Sequence, residues 1–293
     1  MKRRISFVNT RRTGHNGRRA LSVVMFVYAL FCFVLPFYVM SASRLANFVS
    51  DLKILYCMAL RPVRGDSDAE RLESFYVKQV DAYDRFRKRL LTGRDELMRA
   101  MNPQEGEEWV DMGCGTGANV EFLGDSLSKL KKLSLIDLTP SMLRIANKRI
   151  AENGWTNVVT KQDDATKWKP DDGPIDAILF SYSLTMIPDW FAAVDRAYEA
   201  LKPGGTIGVV DFYIARKYPG KKRMRQSFST RWFWPIWFSL DNLFLSNDIL
   251  PYLSYRFEEV SLIERADRLP YCPVFWKKMP RFVFVGRKPL NAK

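Results

Sequence analysis

The sequence predicts an α/β protein built on a doubly wound sheet of seven strands and preceded by one membrane-spanning helix. Three observations carry that expectation. From about residue 66 onward, strand-like and helix-like runs alternate. A glycine-rich turn joins the first of those strands to a helix. Ahead of both lies Ala20–Met40, 21 residues without a charge. Alternating strands and helices imply a parallel sheet whose ligand sits at the carboxyl ends of the strands.

The chain divides into a basic tail (1–19), an apolar helix (20–40), an amphipathic linker (41–65) and one domain (66–293) with a basic and aromatic insertion at about 214–255. The tail carries Lys2, Arg3, Arg4, Arg11, Arg12, Arg18 and Arg19 and no acid. At about 1.5 Å per residue, 20–40 spans roughly 30 Å, the thickness of a bilayer's hydrocarbon core. A signal peptide cleaved after Ser41-Ala42-Ser43 competes with this reading, but its apolar region runs to only about 7–15 residues. An organelle presequence or in-plane helix is a further alternative. In the linker, Leu45, Phe48, Val49, Leu52, Leu55 and Ala59 recur at helical spacing.

Topology arguments conflict. The positive-inside rule keeps the tail in the cytosol and sends the domain across the membrane. The absence of any N-x-Ser/Thr site or disulfide pattern points to the cytosolic face instead. The expectation is a single-pass protein of the endoplasmic reticulum, rather than of mitochondria, with a cytosolic domain.

Composition removes several function classes. A hydrophobic fraction of 47% in 293 residues excludes a disordered chain and leaves room for one large domain. Cys32, Cys57, Cys114 and Cys272 form neither a disulfide framework nor a CxxC pair. His15, in the tail, is the single histidine, so no imidazole base or metal ligand belongs to the domain, and no metal site is expected. The net charge of +14 is matched by two patches of seven cations each: the tail, and Arg216, Lys217, Lys221, Lys222, Arg223, Arg225 and Arg231.

Within the domain, Ser67-Asp68-Ala69-Glu70 forms a capping box. The helix it opens carries Leu72, Phe75, Tyr76, Val80, Tyr83 and Phe86. A short helix at about 94–101 follows. Strands are expected at 109–112, 133–138, 158–161, 175–180 and 206–211, with helices at about 117–131, 140–153 and 188–202 between them. Lys202-Pro203-Gly204-Gly205 stops the last of these helices. Strands near 257–264 and 281–287 close the chain.

The first strand ends in Asp111-Met112-Gly113-Cys114-Gly115-Thr116-Gly117, a turn whose glycines let backbone approach a ligand closely. Asp137 ends the second strand 20 residues beyond Gly117, where a carboxylate can accept ribose hydroxyls. Asp164-Ala165 ends the third, where acid and backbone can read an adenine amino group. A dinucleotide would lay its pyrophosphate over the glycine turn at the helix N-terminus, where Asp111 would stand near that anion. A ligand bearing an ammonium and a sulfonium suits that carboxylate better. Cys114 is expected to pack, since no basic partner is near it in sequence to lower its pKa.

The order Asp-x-Gly-x-Gly-x-Gly, Asp137, Asp164 resembles the class I S-adenosylmethionine-dependent methyltransferases over about residues 75–211. The resemblance implies a Rossmann-like fold, S-adenosyl-L-methionine as cofactor, and binding residues in the loop (Asp111, Gly113, Cys114, Gly115, Thr116, Gly117), at Asp137, Asp164 and Ala165, and at Ser181. Tyr76 and Tyr83 would cap the pocket. Tyr182, Asp211 and Tyr213, at the ends of the fourth and fifth strands, are candidates to orient an acceptor and take its proton.

Two further stretches resemble a narrower family. Phe75-Tyr76, Ala82-Tyr83-Asp84, Arg87, Arg89-Leu90-Leu91 and Gly93-Arg94 form one. Trp237-Phe238, Leu250-Pro251-Tyr252-Leu253, Phe257-Glu258-Glu259 and Pro280–Lys288 form the other. Together they resemble the methyltransferase half of betaine-lipid synthases, which trimethylate the amine of diacylglyceryl-homoserine. The chain departs from that pattern at Asn247-Asp248-Ile249 and lacks the partner domain, so a separate enzyme would form the headgroup. The expected substrate is a membrane lipid amine. Phosphatidylethanolamine, a quinone precursor, or a non-catalytic membrane scaffold are the alternatives. The basic run and Trp232, Trp234 and Trp237 lead to the expectation that 216–253 faces the membrane as a lid. Nucleic acid is not an expected partner.

Overall fold

The computed structural model describes residues 65–76, 90–239, 243, 245–268 and 278–291. The apolar segment 20–40, the linker up to residue 64, and Tyr83 lie outside the described residues, as does the side chain of Tyr76. Among the described residues, no helix is long and apolar enough to cross a membrane.

Seven strands form one sheet: β1 (Glu108–Met112), β2 (Lys132–Asp137), β3 (Val158–Gln162), β4 (Ile175–Ser181), β5 (Leu201–Phe212), β6 (Glu258–Asp267) and β7 (Met279–Arg287). Their order is β3-β2-β1-β4-β5-β7-β6. The first five strands are parallel. β7 is antiparallel to both neighbours, so the sheet is mixed, where the sequence suggested a parallel one. The chain leaves β5, reaches the outer edge as β6, and returns as β7 into the gap. The strand order reverses between β1 and β4, which opens a crevice at their carboxyl ends.

Helices flank the sheet: α1 (Asp68–Tyr76), α2 (Arg94–Met101), α3 (Pro140–Asn153), α4 (Trp190–Ala200), α5 (Phe228–Ser239) and α6 (Ile249–Arg256). The capping box closes reciprocally: Glu70 N–H donates to Ser67 Oγ at 3.2 Å and Ser67 N–H to Glu70 Oε2 at 3.4 Å. The helix expected at 117–131 is a 3-10 stretch, Ala118–Lys129, broken at Gly124, whose φ of 52° and ψ of −133° are not helical.

Strand alternation splits the core between the two faces. Val210 and Phe212 join Trp109, Leu135, Leu179 and Trp234 on one side. Ile207, Val209, Phe282 and Phe284 join Val110, Ile178 and Leu253 on the other. With both faces covered, β7 is buried from Met279 to Gly286, as the near-continuous apolar run of a central strand requires.

The aromatic segment is divided by its own helix. In α5, Trp234 and Phe238 are buried, and Trp234 Nε1–H donates to the Lys278 carbonyl at 3.0 Å. Trp237 is half-buried against the same cluster. Phe228 and Trp232, one helical turn apart, are 81% and 63% exposed. One tryptophan of the three expected at a membrane is thus core.

Candidate active site

A cleft of about 270 Å³ opens at the crevice between β1 and β4. Its floor is the turn after β1, where Gly113, Gly115 and Gly117 have φ of 69°, 57° and 71°. A Cβ on Gly113 would stand 2.5 Å from Ser183 Cβ, whereas a Cβ on Gly115 would meet nothing within 4 Å. The first glycine is thus needed for packing, and the second leaves backbone bare toward the cleft.

Asp137, at the end of β2, fastens that turn. Its Oδ2 accepts the Gly115 N–H at 2.8 Å; its Oδ1 accepts the Thr139 N–H at 2.9 Å and the Thr139 hydroxyl. Burial pushes its pKa up, against these hydrogen bonds. Asp164 is also pushed up by burial, yet Thr166 and Lys167 hold it below the usual carboxylate range. Ala165 and Thr116 line the same cleft.

Behind the loop lies a buried polar chain. Ser181 Oγ donates to Asn119 Oδ1 at 3.1 Å, and Asn119 Nδ2 donates to Asp111 Oδ2 at 2.8 Å. Asp111 Oδ1 is buried with no hydrogen-bond partner. Burial, opposed by Asn119 and the charge of Arg94, pushes the pKa of Asp111 up to about 7. The Cys114 thiol is buried and pushed up by the same desolvation and by Asp137 and Asp111, so it is inert packing.

Tyr182 follows β4 with φ 56°, a left-handed conformation rare for a bulky residue and concentrated at functional sites. Its ring lines the cleft and packs on Phe212 at 4.6 Å between centroids. Its hydroxyl donates to the Thr92 carbonyl at 2.6 Å. The other two acceptor candidates lie elsewhere. Asp211, fully buried, does not line the cleft: it accepts from Thr185 Oγ1 at 2.8 Å, Thr185 N–H at 3.2 Å and Phe212 N–H at 2.8 Å, and so anchors the 3-10 turn Leu184–Met186. Tyr213 donates to Glu264 and borders a separate cavity of about 240 Å³. Both alternate with Phe212 along β5 and therefore belong to the opposite sheet face.

Ser183, a further candidate at the end of the fourth strand, lines the cleft, as do Arg94, Asn119 and Thr139, which the sequence did not single out as site residues. Thr139 was legible as the N-cap before Pro140 at the start of α3. Arg94 carried no local signal.

The residues present fit S-adenosylmethionine. Asp111, buried and not itself lining the cleft, holds an orphaned carboxylate oxygen behind the bare glycine backbone, while Asp137 at the end of β2 and Asp164 beyond β3 line the cleft. Carboxylates so placed suit an ammonium and a ribose. Fold and site define a class I S-adenosylmethionine-dependent methyltransferase.

The chain belongs to the ubiE/COQ5 methyltransferase family, whose family model matches residues 82–260. A demethylmenaquinone methyltransferase of Anoxybacillus flavithermus is 26% identical over 146 residues, 48% of this chain and 62% of that protein. Its counterpart in Bacillus subtilis is 24% identical over 147 residues, 48% and 63% of the two chains. The chain thus spans less than two thirds of the length of these curated relatives. In fold it is similar to Haemonchus contortus phosphoethanolamine N-methyltransferase 2, with TM-score 0.57 and 15% identity, covering 77% of this chain and 61% of that one. It is also similar to the N-methyltransferase NodS of Bradyrhizobium japonicum, with TM-score 0.55 and 16% identity, covering 76% and 100%.

Proposed function

We propose that this methyltransferase acts on the amine headgroup of a membrane lipid, a betaine-lipid precursor foremost. The observation that carries the reading is that the cleft offers carboxylates but no histidine, thiolate or free phenol. The chain has no histidine outside its basic tail, the Cys114 thiol is held protonated, and the Tyr182 hydroxyl is committed to Thr92. An acceptor here must be its own nucleophile, and a neutral amine is one. Catalysis is then chiefly alignment.

In this reading, S-adenosylmethionine supplies an electrophilic methyl group. Asp137 accepts the ribose hydroxyls, Asp164 and Ala165 read the adenine, and Asp111 with the glycine turn faces the amino-acid end. Ser181, through Asn119, keeps Asp111 oriented. Tyr182, Leu91 and Leu72 wall the part of the cleft where cofactor and acceptor would meet.

The bilayer contact belongs to a narrower surface than 216–253. Arg216 pairs with Asp248 at 2.7 Å and Arg223 with Glu259 at 2.6 Å, which neutralises two of the seven cations. Lys217, Lys221, Lys222 and Arg225 are exposed, and Phe228 and Trp232 stand clear of the core. Such cations each add about 1 kcal/mol on an anionic surface, and tryptophan favours the headgroup level. Single-pass anchoring through 20–40, a cytosolic domain at the endoplasmic reticulum and a separate headgroup-forming enzyme complete the proposal.

A quinone precursor is the second reading, favoured by the names of the curated relatives. Incubating the full chain with labelled S-adenosylmethionine and either a betaine-lipid precursor or a demethylated quinone separates the two. Label on the amine supports the first reading, and label on the quinone ring replaces it with the second.

A further inference from the structure

The edge of the sheet remote from the glycine loop holds a charge cluster that the site has not yet used. Arg281, on β7, is 3% exposed, an uncommon place for a guanidinium. Its Nε–H donates to Asp267 Oδ2, and its Nη1–H donates to Glu96 Oε2 at 2.9 Å. Arg265 stands directly opposite it in the β6–β7 ladder. Two like charges side by side are tolerable because Glu96, on the first turn of α2, bridges them, accepting from Arg265 Nη1 at 2.6 Å.

The cluster reaches the cleft through the segment Leu91–Arg94. Thr92 Oγ1 donates to Asp267 Oδ2 at 2.7 Å, while the Thr92 carbonyl receives the Tyr182 hydroxyl. Gly93 has φ 81°, and a Cβ there would stand 2.4 Å from Arg281 Nη1. The guanidinium thus occupies the space where any other residue would carry its side chain. Leu91 and Arg94, on either side, both line the cleft. Arg281 also pairs in the ladder with Phe212, the residue on which the Tyr182 ring packs.

We infer that Arg281 is a positioning residue for the methyltransferase site: its buried guanidinium clamps Leu91–Arg94 over the cleft and, through the Thr92 carbonyl, sets the ring of Tyr182. The planar fork explains the residue type. Two carboxylates on separate elements must be held at fixed angles, which a lysine's single ammonium cannot do. The clamp ties the antiparallel edge to the wall of a cleft formed by parallel strands, so the cleft's shape depends on β6 and β7 although neither strand lines it.

The test uses the full chain in detergent micelles, with S-adenosylhomocysteine as calorimetric probe and thermal melting alongside. Arg281→Met is expected to weaken probe binding roughly tenfold, the effect of losing about one net hydrogen bond to the probe. Arg281→Lys should recover part of that loss. Leu253→Ala, fully buried in the cluster on the other sheet face, is the comparator: it should lower the melting temperature and leave probe affinity near wild type. A folded Arg281→Met with wild-type affinity would overturn the inference, as would an equal affinity loss in Leu253→Ala. Should Arg281→Met not fold, Thr92→Val decides. It removes one hydrogen bond of the cluster, and a several-fold loss of affinity is expected. Unchanged affinity in that variant would reduce Arg281 to a stabiliser of the sheet edge.

Discussion

Asp111 carries one oxygen held by Asn119 and one with no partner, in a setting that raises its pKa to about 7. Burial disfavours the charged form, so the residue is neutral well below that pH and ionised well above it. An ammonium placed against it is favoured only by the ionised form. S-adenosylmethionine affinity should therefore rise as pH increases through about 7, and Asp111→Asn should flatten that dependence. Calorimetric titrations on either side of neutrality check this; a pH-independent wild type would separate Asp111 from the ligand. Asp137 leads to a simpler expectation. Its carboxylate both ties the glycine turn and offers lone pairs to the ribose, and charged hydrogen bonds of this kind contribute about 1.5–3 kcal/mol each. Asp137→Ala should weaken cofactor binding by roughly 100-fold. Unchanged affinity would remove Asp137 from the ribose site.

At this scale the strand ends that border the cleft were legible, and the contacts made beyond β5 were not. Asp111, Asp137 and Asp164 sit at strand ends that the sequence marks by its own alternation. Asp211 and Tyr213 were named from the same rule, but strand parity places them on the face opposite Phe212, where Thr185 and Glu264 engage them, and nothing local in the sequence shows those contacts. Arg94 and Arg281 enter through contacts spanning many residues of chain, as in the 185-residue separation of Arg281 and Glu96. No window of sequence shows such a contact.

Among the elements, α5 carries the sharpest contrast. Trp234 is fully buried, while Trp232 is 63% exposed two residues earlier. Trp234→Ala should cost about 3–5 kcal/mol of stability, as large core truncations do. Trp232→Ala should leave the melting temperature unchanged while lowering turnover of a bilayer-embedded acceptor, with cofactor affinity intact. A destabilised Trp232→Ala, measured by thermal melting, would make that face of the helix core and remove it from the proposed bilayer contact. The first four strands were read to within a residue or so because buried parallel strands are short continuous apolar runs. By contrast β5 begins at Leu201, so Lys202-Pro203-Gly204-Gly205, expected as a helix stop, lies within the strand. The Ala118–Lys129 stretch was read as an α-helix because its apolar spacing is helical, but the left-handed φ of Gly124 interrupts it.

For the whole molecule, the reversal of strand order between β1 and β4 decides where chemistry can occur. The antiparallel β7, inserted between β5 and β6, decides what braces it. The first follows from alternating strands and helices and was legible. The second depends on where the chain goes after the insertion, which the sequence does not encode locally. Charge is likewise a matter of the whole. Of the second basic patch, two arginines are internally paired, while Lys217, Lys221, Lys222 and Arg225 are exposed, as are Phe228 and Trp232.

A labelled-methyl assay tests the proposed methyl transfer to a lipid amine. The full chain is incubated with radiolabelled S-adenosylmethionine and a total lipid extract, and the products are separated by headgroup. Label in an amine-derived headgroup, above all a betaine lipid, is the predicted result. Label in the quinone fraction, or none in any lipid while S-adenosylmethionine still binds, would contradict it.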